Sequence, residues 1–186
     1  MDFEIKDTGI KELLLIKPNV FEDRRGYFYE LFNSEKYIKA GLKFNFVQDN
    51  ISKSQKGTVR GLHFQLGKYA QGKLCQVIIG KVLDVAVDIR QNSKTFGKHY
   101  SVELSAENHY QLWMPPGFAH GFSVLSDEAI FMYKCTNFYN KESERAIIYN
   151  DTDLNIDWKV EAPIISDKDK NAPSFKKYFN LAQDQP

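Results

Sequence analysis

The chain is poor in cysteine, in net charge and in long apolar runs, and each shortage removes a class of protein. Its two cysteines, Cys75 and Cys135, lie far apart in apolar, strand-like runs. Neither has the short-spaced partners of a zinc site or a redox pair, so both read as buried small hydrophobes. With 25 basic against 24 acidic residues the formal net charge is +1, which leaves no footprint for nucleic acid or an anionic membrane surface. Any positive field must be local. No stretch approaches the roughly 20 apolar residues of a membrane span. Met1-Asp2-Phe3-Glu4 is acidic with no apolar segment behind it, unlike a signal peptide. The expectation is a cytoplasmic protein, in which the glycosylation-type triplets Asn50-Ile51-Ser52 and Asn150-Asp151-Thr152 carry no meaning. Internal repeats, low-complexity segments, Pro/Gly/Ser linkers, a dinucleotide fingerprint and a P-loop are also missing. The 186 residues are therefore expected to form one domain, 1–186, that needs no redox cofactor.

What the chain has in abundance is short β-branched and aromatic runs between turn signals, at 13–16, 27–32, 44–47, 74–79, 82–89, 100–104, 129–136 and 146–149. An all-β protein follows, and a double-sheet jelly roll holds this many antiparallel strands in one domain. Within 82–89, Leu83, Val85, Val87 and Ile89 alternate with Asp84, Ala86, Asp88 and Arg90. That alternation predicts a strand with one wetter face and points both aspartates away from Leu83. Gly80-Lys81 predicts a two-residue hairpin, because glycine supplies the positive φ of the first central position. Helical signal is confined to short peripheral pieces. Asn33 or Ser34 caps one that Gly41 stops after Ala40, and the segment from Ser166 to Asp169 opens another. The polar stretch after Pro173 is expected to pack loosely or fray.

Four histidines are present. Two fall in glycine-flanked, otherwise apolar segments, Val59-Arg60-Gly61-Leu62-His63-Phe64-Gln65 and Met114-Pro115-Pro116-Gly117-Phe118-Ala119-His120-Gly121-Phe122. Packing alone would be better served there by Leu or Val. An imidazole has a reference pKa of about 6.5, so such a residue accepts a proton at cellular pH and is regenerated afterwards. A cavity between the sheets lined by His63, Gln65, Lys73, Asp84, His120 and Tyr133 would join a base, an acid and a cation, the parts of a proton transfer beside a carbonyl. Each residue also has a plainer reading. His120 either contacts substrate or hydrogen-bonds across the sheet. Lys73, in Gln71-Gly72-Lys73-Leu74, is either the solvated end of a hairpin or, turned inward, the stabiliser of an oxyanion. Asp169 either completes a capping box with Ser166 or fixes the tautomer of His63. Tyr133 and Tyr139 share a strand face if the run from Ala129 continues. There they serve as core aromatics, or one phenol returns a proton to the far face of a planar enolate. Arg25 and Arg60 offer bidentate donors to a diphosphate, against the alternative of a solvated surface.

These segments resemble the dTDP-4-dehydrorhamnose 3,5-epimerase family, cupin-type enzymes that invert two carbons of a nucleotide-linked keto sugar, and further matches run from Asp23 to Pro173. The resemblance implies a cupin-like jelly roll, a homodimer, and the conversion of dTDP-4-dehydro-6-deoxy-D-glucose to dTDP-4-dehydro-L-rhamnose, a precursor of cell-surface rhamnose. The Arg-Gly-Leu-His-Phe-Gln motif makes His63 the proton acceptor. Tyr133-Lys134-Cys135-Thr136 makes Tyr133 the acid, and Ser166 to Asp169 supplies the partner aspartate. Lys73 would steady the enolate. Substrate contacts are implied for Arg25, Glu30, Gln48, Asp49 and Asn50, and further along for Arg60, Lys73, His120, Glu144 and Lys168, with Tyr139 stacking on thymine. Metal-binding cupins place two histidines one residue apart, whereas Gln65 stands at the second position here, so no metal is expected. By strand parity Arg60 and His63 face opposite ways although the family turns both to substrate, and a bend at Gly61 would reconcile them. Phe138-Tyr139 also departs from the two tyrosines the family often carries. Two rivals stay open: an epimerase or isomerase acting at C3 or C5 alone, and a non-catalytic carbohydrate-binding jelly roll with no base and acid paired across its cavity.

Overall fold

Residues 3–181 are described by a computed structural model, in which the β-rich sequence folds into two facing antiparallel sheets, a double-sheet jelly roll. In chain order the strands begin with β1 (Phe3–Asp7), β2 (Leu14–Pro18), β3 (Phe21–Asp23), β4 (Gly26–Phe28), β5 (Gln48–Gln55) and β6 (Val59–Gln65). They continue with β7 (Lys73–Ile79), β8 (Lys81–Asp88), β9 (His99–Ser105), β10 (Gln111–Met114), β11 (Phe118–Val124), β12 (Glu128–Cys135) and β13 (Glu144–Ala146). Short helices α1 (Ser34–Lys39), α2 (Asp167–Lys170) and α3 (Phe175–Leu181) flank them. One sheet runs β1-β2-β10-β7-β12-β5, the other β13-β6-β11-β8-β9, and β3 pairs with β4 as a separate hairpin. Helix α1 starts as its sequence predicts, with the Asn33 side chain accepting from the Lys36 N–H. Among the described residues no helix is long and apolar enough to cross a membrane.

The sheets close on a core drawn from both. Val77, Leu112 and Phe131 of one meet Val82, Leu104 and Phe122 of the other, all at most 4% exposed. Phe122 and Phe131 stack across the interface with centroids 4.4 Å apart. Burying a side chain of this kind contributes about 1.5–3 kcal/mol, and an aromatic pair about 0.5–1.5 kcal/mol more. A second layer covers the outer face of the five-stranded sheet, where Leu62, Phe64, Val85 and Val87 pack on Leu154, Trp158 and Phe175. That layer corrects two expectations. The face of β8 bearing Asp84, Ala86 and Asp88 is not wet. It turns toward the opposite sheet, and both aspartates are fully buried. The stretch after Pro173 is not loose, since α3 sets Phe175 against Phe96 and Tyr178 against Phe64; residues 182–186 lie outside the described part.

Three expected strands shrink or vanish. Of 27–32 only the part within β4 pairs, and of 146–149 only Ala146 joins β13. Segment 44–47 forms no strand, because Phe44 and Phe46 pack as side chains on Trp113. Conversely β5 carries no apolar run and escapes the pattern, since it is an edge strand exposed along alternate residues. Gly80 does adopt a positive φ of 79° but makes no hairpin, because β7 and β8 on either side of it belong to different sheets. A Cβ there would lie 2.0 Å from the Glu128 carbonyl oxygen, so the close approach at this corner is what requires glycine.

Gly61 decides where the chemistry-bearing side chains of β6 point. His63 stands opposite His120 and Arg60 opposite Phe122, so three steps along β6 match two along β11. This bulge restores the parity that a regular strand would deny, and Arg60 and His63 line the same cavity. Gly61 has φ of 129°, and a Cβ would fall 2.5 Å from the Gly121 Cα. Gly61→Ala is therefore expected to cost at least about 3 kcal/mol, strain and overpacking combined. Urea unfolding measures it, and a loss under about 1 kcal/mol would mean that β11 simply moves aside.

Candidate active site

A cavity of about 280 Å³ opens between the sheets, lined on one wall by β6 and β11 and on the other by β5, β7 and β12. His63 lines the first wall, and its Nε2 lies 2.6 Å from Asp169 Oδ1. Asp169 is 3% exposed, and its second oxygen accepts from the Gly61 N–H at 3.3 Å. The structure brings Asp169 against both Ser166 and His63. Ser166 caps α2 by accepting from the Asp169 N–H, but the Asp169 carboxylate does not reach back to close a capping box; it turns to His63. Burial alone would raise this carboxyl, yet the hydrogen bond and charge of His63, with the Gly61 N–H and Ser166, hold it below the usual range. An ionised aspartate so placed orients the imidazole and stabilises its protonated form.

The opposite wall supplies a phenol and a lysine, and β11 adds a second histidine beside His63. Tyr133, on β12, is pushed up to about 12, chiefly by burial, so its phenol keeps its proton at neutral pH. Lys73, at the start of β7, is 9% exposed and holds Nζ 5.6 Å from the Tyr133 ring centroid. The solvated-end reading of Lys73 therefore fails. His120 is buried beside His63, with Nε2 2.7 Å from Asp84 Oδ1. Burial pulls its basicity down against the opposing pull of Asp84, which favours a neutral ring. Asp84 itself sits behind His120, fully buried, and does not line the cavity. A base backed by a carboxylate, with a protonated phenol and a lysine side by side on the facing wall, can move protons on and off a carbon next to a carbonyl.

Tyr139 reaches the mouth of the cavity by a route that strand parity does not describe. β12 ends at Cys135, and the following loop is held by three glutamines. Gln71 Nε2 donates to the Asn137 carbonyl at 2.8 Å, Gln48 Oε1 accepts from Tyr139 N–H at 2.9 Å, and Gln65 Oε1 accepts from Asn140 N–H at 2.7 Å. Sequence reasoning missed Gln65 and Gln71 as positioning residues, because a lone amide carries no spacing signal. The Tyr139 hydroxyl donates to Glu144 Oε2 at 3.0 Å, and Lys168 Nζ meets the same oxygen at 2.6 Å. Burial would raise Glu144, but these two contacts outweigh it and keep the carboxylate ionised.

Of the other implied substrate contacts, Asn50 and Arg60 line the cavity, Arg60 with Nε 3.0 Å from Ser54 Oγ. Gln48 and Lys168 stand just behind it as supports. Asp49 is on the other face of β5, paired with Lys134 at 2.8 Å, because alternate residues of a strand point oppositely. Arg25 and Glu30 are also away from the cavity within this chain. Arg25 donates to Asp23 in the exposed β3–β4 hairpin, and Glu30 contacts Lys36 and Asn33 beside α1.

A sequence profile described as dTDP-4-dehydrorhamnose 3,5-epimerase matches residues 7–177. The enzyme of that name from Shigella flexneri is 57% identical over 169 residues, 90% of this chain and 93% of its own length. The crystal structure of the dTDP-4-dehydrorhamnose 3,5-epimerase of Elizabethkingia anophelis NUHP1 superposes with a TM-score of 0.90 at 56% identity, covering 95% of this chain and 98% of that one. A dTDP-6-deoxy-D-glucose-3,5-epimerase from Legionella pneumophila Philadelphia 1, in complex with dTDP-4-keto-L-rhamnose, gives a TM-score of 0.90 at 50% identity, covering 94% and 93%.

Proposed function

From the premise that this chain belongs to the dTDP-4-dehydrorhamnose 3,5-epimerase family, we propose how its residues divide the work of epimerising dTDP-4-dehydro-6-deoxy-D-glucose at C3 and C5. The reading rests above all on one observation: His63, backed by Asp169, and the protonated Tyr133 line one cavity from opposite sheets. The C4 ketone acidifies the hydrogens at C3 and C5. His63 takes one, and the electron pair moves into an enolate whose oxygen the Lys73 ammonium stabilises. Tyr133 returns a proton to the other face of the planar carbon, and solvent then restores both side chains. Asn50, His120 and Glu144 hold the sugar and nucleotide, Arg60 pairs with the diphosphate, and Tyr139 stacks on thymine. The proton count closes on side chains alone, so no redox cofactor or metal enters the scheme.

The homodimer is part of the same reading. The β3–β4 hairpin exposes Phe21, Tyr27 and Phe28 by more than half, a patch that a second copy would cover. In that arrangement Arg25 and Glu30 serve the partner's cavity rather than their own. Two free, buried thiols, Cys75 and Cys135, suit a reducing compartment such as the cytoplasm. A non-catalytic carbohydrate-binding role leaves the buried lysine and the histidine–carboxylate pair without a purpose. Incubation with the dTDP-linked 4-keto-6-deoxy sugar in deuterated water is expected to place deuterium at both C3 and C5 of the product. Label at a single carbon would mean a mono-epimerase, and no label at either would overturn the reading.

A further inference from the structure

The proton transfers proposed above leave unused a cluster at the closed end of the cavity. Cys75 of β7, Asp84 of β8 and His120 of β11 come from both sheets, and their ligating atoms all lie within 4.8 Å of one another. Cys75 Sγ is 3.8 Å from His120 Nε2, which is 2.7 Å from Asp84 Oδ1. Cys75 and Asp84 are fully buried and His120 is 6% exposed. The second carboxylate oxygen, Asp84 Oδ2, is buried and has no hydrogen-bond partner among the described residues. A buried carboxylate satisfied on one side only is costly, and it is the kind of group that a cation relieves.

We propose that Cys75, Asp84 and His120 form a binding site for a thiophilic divalent cation, zinc foremost, and that filling it shuts the active site down. A thiolate, an imidazole and a carboxylate make a set that zinc accepts, with three protein ligands and a fourth position open. Tetrahedral bonds of about 2.0–2.3 Å require ligand atoms about 3.3–3.7 Å apart. The sulfur–nitrogen separation is close to that already, and the His120–Asp84 pair has to open by roughly half an ångström, within reach of side-chain rotation. Access is from the cavity, which His120 lines. The ion displaces the thiol proton to solvent. The His120 proton that faces Asp84 relocates to the other ring nitrogen, so one proton leaves per ion bound and nothing is oxidised. Thiolate and carboxylate together cancel the ion's charge, so neighbouring Lys73 meets a neutral cluster. Hard cations such as magnesium gain little from a thiol ligand. Bound metal takes His120 away from substrate, and inhibition follows.

The proposal goes beyond the epimerase reading, and direct metal binding tests it independently of turnover. Full-length protein titrated with cobalt(II) is expected to develop a thiolate-to-metal charge-transfer band that competing zinc abolishes. Zinc is expected to inhibit turnover reversibly, with a chelator restoring it and magnesium having no effect. Cys75→Ala, a change outside the proposed catalytic groups, should keep basal turnover, lose the cobalt band and resist zinc at least roughly tenfold better. Cys135→Ala, the other buried thiol, should retain both the band and the sensitivity. Should Cys75→Ala fold poorly, the assignment of the band in the unmodified protein and in Cys135→Ala still decides the matter. No thiolate band in the unmodified protein, or unchanged zinc inhibition in Cys75→Ala, overturns the proposal.

Discussion

Turnover by His63→Ala is expected to fall by about 10²–10⁴-fold, the range that one general acid–base residue contributes. The effect should be on chemistry rather than on nucleotide affinity. His63 is half-buried on the β6 wall against Asp169, whereas the groups assigned to the diphosphate and thymine, Arg60 and Tyr139, are exposed, Tyr139 at 52%. Binding of dTDP by calorimetry should therefore be close to unchanged. Asp169→Asn separates orientation from structure. Asparagine keeps the backbone N–H that Ser166 caps but lacks the charge that stabilises an imidazolium, so turnover should drop while thermal stability holds. Near-normal turnover by His63→Ala would remove the base from the mechanism. A change in stability alone for Asp169→Asn would reduce the Asp169 carboxylate to a structural tie between α2 and β6.

Tyr133→Phe is expected to separate exchange from inversion. The substitution removes only the phenolic oxygen and keeps the ring against Phe131, centroids 6.0 Å apart, so the wall should stay in place. His63 and Lys73 remain, and a proton can still be removed and a solvent-derived one returned to the same face. In deuterated water this variant should incorporate deuterium with little inversion at the carbon that Tyr133 serves. His63→Ala should show neither at that position. Mass spectrometry for label and proton NMR for stereochemistry read the two outcomes separately. Full inversion by Tyr133→Phe would transfer the role to another acid, with Tyr139 the first to test.

Much of this protein was legible before any fold was drawn. The dense β-branched runs announce the sheets, Asn33 or Ser34 announces α1, and the glycine-flanked histidines fall on the cavity wall, because strand period and caps are local properties of a chain. The alternation in β8 likewise states correctly that Asp84 and Val85 face opposite ways. It does not say what covers each face. That answer comes from the opposite sheet on one side and from Leu154, Trp158 and Phe175 on the other, residues far along the chain. The same non-locality turned Gly80 from a hairpin into a corner between sheets. It placed Arg25 and Glu30 away from the cavity, and it brought Cys75 to His120 across 45 residues of sequence. It also let one bulge at Gly61 bring Arg60 and His63 to one side. Local sequence sets which way a side chain points relative to its neighbours; only the packing of distant segments decides whether that direction is core, solvent or active site, since burial is a property of what arrives on the other side.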